Sequence, residues 1–230
     1  MSIAKTSGHQ TPLAGPPAAG TLIERFTLGE RLGHWSHALT FVLLLLTGSG
    51  LAFYSLAHLL GPDVLRIFRS IHRFVAYPFT FLTLLLLLLG APRPADQWLQ
   101  ECFRWNAADI AFIQAFPREF FLLPVKLPPQ GKYNAGQKIN SLLTIAGSLL
   151  MIITGWMMIF ADKFTLATLA WVHALHSGGA LVLGGVILGH AYLGLLHPHS
   201  RESIKGMLTG KVSADFAASH HARWYRNLGA

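Results

Sequence analysis

Long stretches without charged residues dominate the chain. Four of them, each bounded by Asp, Lys or Arg, hold 31, 19, 23 and 37 residues. An α-helix needs about 20 apolar residues to cross the ~30 Å hydrocarbon core of a bilayer, and each stretch supplies about that many or more. The pattern therefore predicts four membrane-spanning helices, at about 34–58, 72–91, 138–160 and 167–196.

The polar sequence outside these stretches is too short to cover four apolar helices in water. The predicted fold class is therefore an all-α, integral membrane four-helix bundle. Its transmembrane part extends over 24–200 and includes a connection at 92–137 between the second and third spans. A flexible N-terminal extension rich in Gly, Pro, Ser and Ala is expected over 1–23, and a C-terminal tail over 201–230.

Basic residues are unevenly distributed between the two ends of the predicted bundle. Of the 230 residues, 52% are apolar and only 12% are charged, yet the net charge is +8. Four spans put both termini on one side, together with 92–137, and 14 of the 18 Lys and Arg residues lie there when Lys138, at the adjoining end of the third span, is included. The positive-inside rule then places both termini in the cytoplasm, which predicts a multi-pass protein of the bacterial inner membrane. Anionic membrane lipids account for the basic charge, so nucleic acid is not an expected partner.

Histidines are the ionisable residues that the predicted spans retain. The chain has 12 histidines and one cysteine, which excludes internal disulfides and cysteine-rich metal clusters. An ionisable group in a membrane is costly and indicates a role. His34 and His190 are predicted at the cytoplasmic level, and His72 and His176 at the periplasmic level. His176 and His190 are 14 residues apart, about 21 Å along nearly one helix face.

Two histidine pairs stacked across a membrane suit two b-type haems. Neutral imidazole is a good axial ligand for haem iron, and helix bundles present such ligands from facing helices. A structural zinc site needs four ligands at one level, where the sequence offers two. His37 and His173 lie three residues from proposed ligands and remain alternatives to them. The predicted metal ligands are His34, His190, His72 and His176.

Specific sequence blocks flank or include these histidines. They are RLGHWSHALTF (31–41), RSIHRF (69–74), KYNAGQK (132–138) and the long C-terminal stretch from His176 through SIKGMLTGKVS (203–213) to HHARWYR (220–226). Together they resemble the cytochrome b (gamma) subunit of respiratory, membrane-bound formate dehydrogenases, a di-haem cytochrome b family. The resemblance extends over about 24–228.

The resemblance implies how the cofactors are arranged. Two haem b groups would be bound, one by His34 and His190 on the cytoplasmic side and one by His72 and His176 on the periplasmic side. A menaquinone or ubiquinone would bind beside the cytoplasmic haem, against the KYNAGQK loop.

Within that loop, Asn134, Gly136 and Gln137 are the candidate quinone-binding residues. Side-chain amides supply hydrogen-bond donors for a quinone carbonyl, and a glycine permits close approach of the backbone. From the residues alone, Asn134 is better explained as the N-cap of the third span.

The resemblance also implies partners. An iron–sulfur β subunit would deliver electrons in anaerobic respiration, and a catalytic α subunit would oxidise formate, so no catalytic residue is expected in this chain. A hydrogenase or another quinone-linked oxidoreductase is an alternative electron donor. A transporter or channel, in which histidines relay protons or bind a metal, is a rival of another class.

Overall fold

The computed structural model describes residues 18–228, and four long helices form a bundle in this part of the chain. Shorter helices and a two-stranded sheet lie at the end where the described chain begins and finishes, called here the terminal end. In chain order the elements are β1 (Leu22–Glu24), α1 (Leu28–Ala52), α2 (Tyr54–Gly90), α3 (Pro92–Phe103), α4 (Ala107–Phe120), α5 (Ala135–Ile159), a short 3-10 helix (Ala161–Lys163), α6 (Leu166–Leu195), α7 (Ser203–Thr209), β2 (Lys211–Ser213), α8 (Ala214–His220) and α9 (Ala222–Asn227).

The helices α1, α2, α5 and α6 are long and apolar enough to cross a membrane. Their outward faces carry exposed leucines such as Leu46, Leu85 and Leu188, as expected for helices that face lipid. Phe41, Phe79 and Leu183 meet at the buried centre of the bundle. The all-α membrane bundle predicted from the uncharged stretches is therefore confirmed.

The first two spans have different bounds from those expected. α1 begins at Leu28 because Thr27 and Glu30 form a capping box, in which the Glu30 carboxylate accepts from Thr27 N at 2.8 Å. It ends at Ala52, so residues 53–58, assigned by the sequence pattern to the first span, contribute mainly to α2. α2 is interrupted at Gly61, whose φ of 75° suits glycine, and Pro62 opens the second part of the helix.

A small antiparallel sheet joins the two ends of the described chain. Ile23 of β1 lies opposite Val212 of β2, and both pack against Phe216 in a buried apolar cluster. Leu22 and Ile23, expected to belong to a flexible extension over 1–23, are therefore in a strand. Residues 1–17 of that expected extension lie outside the described residues.

A buried ion pair fastens the connection between α2 and α5 to the base of α5. Lys138 Nζ of α5 lies 3.1 Å from Asp109 Oδ2 of α4 and donates to the Arg104 carbonyl at 2.8 Å. The Lys138 and Asp109 side chains are 1% and 0% exposed. A buried charge requires such partners, so the pair fixes α4 beneath the bundle.

Candidate functional site

The four histidines predicted as ligands meet in two pairs inside the bundle. The ring centres of His34 on α1 and His190 on α6 are 6.3 Å apart. Those of His72 on α2 and His176 on α6 are also 6.3 Å apart. α6 contributes to both pairs because 14 residues return almost to the same helix face.

Each pair has the separation expected for two imidazoles on opposite sides of one metal ion. A metal–imidazole nitrogen bond is about 2.0 Å long and the ring centre lies about 1 Å further on, so the two centres should be about 6 Å apart. Among the described residues, no group of three or more His, Cys, Asp or Glu side chains is placed to hold a metal ion. Two protein ligands are enough for haem because the porphyrin supplies four more nitrogens. The pairs therefore fit haem better than a bare ion.

Two buried threonines hold the rings of one pair. Thr47 Oγ1 is 2.9 Å from His72 Nδ1, and Thr154 Oγ1 is 2.8 Å from His176 Nδ1. Each hydroxyl donates its own hydrogen to the carbonyl four residues earlier, at 2.7 and 2.6 Å respectively. The oxygen is then left to accept from Nδ1–H, so Nε2 of each ring is free to bind a metal.

A glycine follows each of these threonines, and Gly48 makes room for the ring of His72. A Cβ on Gly48 would lie 3.1 Å from His72 Cε1, and one on Gly155 would lie 3.5 Å from His176 Cε1. Our sequence reasoning missed both threonines. The signal was present, because a Thr-Gly dipeptide occurs near the same end of the first and third spans.

The alternative histidines lie in other surroundings. His37 stacks on Phe79 with ring centres 5.0 Å apart, and its Nε2 is buried without a hydrogen-bond partner among the described residues. His173 is exposed on α6. Neither ring forms a ring contact with another histidine in the part of the chain that the structure describes.

Asn134 and Gln137 of the KYNAGQK loop form the capping box of α5. Asn134 Oδ1 accepts from Gln137 N at 2.9 Å, and Gln137 Oε1 accepts from Asn134 N at 3.0 Å. The N-cap interpretation thus accounts for the oxygen atoms of both amides. Their NH₂ groups donate no hydrogen bond within the described residues, so they are available to a carbonyl ligand.

Gly136 allows close packing at the start of α5. A Cβ there would lie 3.3 Å from Asn134 Oδ1 and 3.7 Å from the ring of Phe112 on α4. The first distance is tight and the second is an ordinary contact, so the glycine leaves room for the Asn134 side chain in the cap, in addition to any role towards a ligand.

Arg25 is a buried cation against the same loop, and our sequence reasoning did not single it out. Its Nη2 donates to the Lys132 carbonyl at 2.7 Å and to Gln137 Oε1 at 3.3 Å. Its Nε and Nη1 are buried and have no hydrogen-bond partner among the described residues. Burial lowers the pKa of Arg25 to about 10, so the guanidinium stays charged at neutral pH.

Arg25 shares an acidic neighbour, Glu30, with Lys132. Lys132 Nζ pairs with Glu30 Oε1 at 2.8 Å, and the Tyr133 hydroxyl donates to the same oxygen at 3.3 Å. Burial, followed by the Glu30 charge, raises the pKa of Tyr133, which therefore remains protonated. Glu30 is thus already paired with Lys132.

The C-terminal sequence blocks cover this end of the bundle. His221 Nδ1 donates to the Gly131 carbonyl at 2.8 Å, so HHARWYR packs against the loop that precedes α5. Burial lowers the pKa of His221 well below its usual value, which keeps the ring neutral. Beside α1, Trp35 Nε1 donates to the Met207 carbonyl of α7 at 3.0 Å. Apart from RSIHRF, which lies with His72 at a different depth of the bundle, the blocks that carry the resemblance are therefore neighbours in space.

An apolar four-helix bundle with facing histidines inside it is the architecture of a membrane-bound b-type cytochrome. The chain belongs to the prokaryotic cytochrome b561 family, whose sequence profile matches residues 25–210. Membership in this family implies haem b as the cofactor, and the chain is an integral membrane protein.

Formate dehydrogenase cytochrome subunits are among the proteins similar to this chain. It is 29% identical over 212 residues to the cytochrome b556(fdo) subunit of Escherichia coli formate dehydrogenase, covering 90% of this chain and 93% of that protein. It is 29% identical over 221 residues to the cytochrome b556(Fdn) subunit of the nitrate-inducible enzyme of Escherichia coli, covering 90% and 92%. For the cytochrome b556 subunit from Haemophilus influenzae the values are 29% over 216 residues, 90% and 83%. The resemblance inferred from the sequence blocks is confirmed.

Proposed function

We propose that this chain is the di-haem cytochrome b subunit of a respiratory formate dehydrogenase and conveys electrons across the inner membrane to a quinone. The observation that carries the proposal is the equal 6.3 Å separation of two histidine pairs at two depths of one bundle. Similarity to formate dehydrogenase subunits favours formate over hydrogen as the source of electrons.

Four histidines hold the cofactors in this proposal. His34 and His190 are the ligands on the terminal side, which the distribution of Lys and Arg assigns to the cytoplasm. His72 and His176 are the ligands on the periplasmic side. Haem iron, when bound, supplies one-electron redox chemistry that no side chain of this bundle provides.

The quinone site lies where the start of α5 meets Arg25. The NH₂ groups of Asn134 and Gln137 and the free Nε and Nη1 of Arg25 are donors for quinone carbonyl oxygens. Gly136 lies between the two amides and keeps the cap compact. Menaquinone and ubiquinone both carry the two carbonyl groups that such donors recognise.

Partner subunits dock at the periplasmic end. Arg66, Arg69 and Arg73 follow one another at helical spacing on α2, all three are exposed, and His72 lies beside them in the chain. This basic surface suits an acidic face of an iron–sulfur β subunit, to which the formate-oxidising α subunit is attached. Electrons would then arrive near His72 and His176.

Optical spectra of the purified complex test the proposal. Dithionite-reduced minus oxidised spectra should contain b-type bands, and extraction should yield two haem b per chain. His72→Ala removes a ligand and should leave one haem. His173→Ala changes a nearby exposed histidine and should leave both. The absence of b-type bands, or two haems retained in His72→Ala, would contradict the proposal.

A further inference from the structure

Hydrogen bonding to the imidazole rings differs between the two histidine pairs. His72 and His176 each have Nδ1 within 2.9 Å of a threonine hydroxyl. In the other pair, His34 Nδ1 is buried without a hydrogen-bond partner among the described residues. His190 likewise forms no hydrogen bond within the described part of the chain. Only one pair therefore has acceptors that support its rings.

The threonine contacts are additional to what a threonine in a helix needs. A buried hydroxyl in an apolar helix is satisfied by donating to a carbonyl one turn earlier, and both threonines do so. Thr47 and Thr154 are 5% and 3% exposed, so water does not compete for their oxygens. The same arrangement occurs independently on α1 against α2 and on α5 against α6.

An acceptor on Nδ1–H changes the ligand properties of the ring. It draws the proton away from the ring and makes Nε2 a stronger electron donor to a metal. A stronger donor stabilises ferric iron more than ferrous iron, which lowers the reduction potential of the iron. The rings of His34 and His190 receive no such contribution from the described residues.

We propose that Thr47 and Thr154 are positioning residues that lower the reduction potential of the iron held by His72 and His176. The contribution lowers its potential relative to that of the iron held by His34 and His190. One electron moving between them oxidises the first iron and reduces the second, so the two hydroxyls make transfer towards the proposed quinone site more favourable. The inference rests on the proposed di-haem function.

Redox titration of the purified complex, followed optically in the b-type bands, tests this inference. Thr47→Val and Thr154→Val keep the side-chain shape and remove the acceptor, so each should raise the midpoint potential of one haem and leave the other unchanged. The double variant should raise the same midpoint further. Thr47→Ser and Thr154→Ser retain the hydroxyl and should restore the original value. Titration in a His34→Ala background, with only the haem at His72 and His176 present, identifies which haem shifts.

Thr80→Val is the matched control. Thr80 is a buried threonine of α2 that donates to the Ala76 carbonyl at 2.7 Å, but its oxygen accepts from Trp156 Nε1 and not from a histidine. Its substitution should leave both midpoints unchanged. A similar shift in Thr80→Val would show a general packing effect and overturn the inference.

The remaining outcomes are also decisive. Loss of one haem in a valine variant, with retention in the serine variant, supports the role of the hydroxyl. Loss in both variants, or unchanged midpoints with both haems bound, overturns it. If the unmodified chain binds two haems and delivers electrons to quinone while the valine variants titrate normally, only this inference fails. If the unmodified chain lacks two haems, the proposed function itself fails.

Discussion

At the scale of single residues, burial keeps the polar groups of the terminal end in fixed protonation states. His221 is neutral and donates to the Gly131 carbonyl, and Tyr133 stays protonated beside Glu30. Arg25 retains its charge with two nitrogens unmatched among the described residues. Acid changes the protonation state of His221 but not that of Tyr133 and Arg25, which are already protonated, so the acid sensitivity of this end of the molecule should come from His221.

His221 provides a test of that sensitivity. Its pKa in the folded protein lies well below the value of 6.5 for an unperturbed histidine, so its contribution to stability is complete above pH 6.5 and is lost as pH falls towards the folded-state pKa. His221→Asn keeps an N–H donor but does not titrate. The Tm of the variant in detergent should therefore fall less between about pH 7.5 and about pH 5.5 than that of the unmodified protein.

His58→Asn serves as the control because His58 is exposed. Its Tm should follow the unmodified protein across the same pH range. If the Tm of His221→Asn depended on pH as strongly as the Tm of the unmodified protein, the contribution of neutral His221 to stability would be contradicted.

At the scale of helices, contact between backbones sets how α1 and α2 cross. A Cβ on Gly29 of α1 would overlap the Gly90 carbonyl at the end of α2. Small residues at such crossings allow the close packing on which membrane helices rely. The geometry of this crossing therefore depends on the absence of one methyl group.

Gly29→Ala tests the crossing. Alanine forms helices better than glycine by about 1 kcal/mol, so the substitution should stabilise a helix with free space around it. At Gly29 the overlap should reverse the sign and destabilise the protein by about 1–3 kcal/mol. The matched variant Gly194→Ala on α6 meets no atom within 4 Å and should be neutral or stabilising. The free energies of unfolding of the two variants in detergent test these expectations. A Gly29→Ala variant more stable than the unmodified protein would contradict the overlap of a Cβ on Gly29 with the Gly90 carbonyl.

The sequence predicted the elements better than their ends and contacts. The stretches without charged residues located the four spans, because a charged side chain is costly at any position along a membrane-spanning helix. The bounds of α1 and α2 depended instead on the capping box at Thr27 and the turn at Gly61, which are local signals independent of hydropathy. The pairing of His176 and His190 with other helices followed from spacing and topology. Thr47 lies 25 residues from His72, and Arg25 lies 112 residues from Gln137, so only the folded chain reveals these contacts.

At the scale of the whole molecule, the helical hairpins α1–α2 and α5–α6 have the same arrangement of a threonine and a histidine. In α1–α2 and in α5–α6, a threonine near the end of the first helix contacts a histidine of the second. The terminal end is different, because α7, β2 and α8 cover it and HHARWYR packs against the loop before α5. The proposed quinone site therefore depends on the C-terminal segment, whereas the site of His72 and His176 does not.

The substitution Val212→Asp tests whether the proposed quinone site alone depends on the C-terminal segment. Val212 is fully buried in the sheet, so a carboxylate there should release the C-terminal segment from the loop that precedes α5. The KM for quinone should rise in a formate-to-quinone assay, while the content of haem b stays the same. Lys211→Asp changes an exposed neighbour and should leave KM unchanged. Loss of haem b in Val212→Asp, or an unchanged KM for quinone, would contradict the conclusion that the proposed quinone site alone depends on the C-terminal segment.

The two strands β1 and β2 can pair only after most of the chain has been synthesised. About 190 residues separate the two strands along the chain, and at about 5–20 residues per second the ribosome needs roughly 10–40 s to make them. All four membrane helices are made in that interval, so they are available for insertion and cofactor loading while the terminal end is still open. The sheet cannot form before β2 has been made, and by then all four proposed histidine ligands have been synthesised.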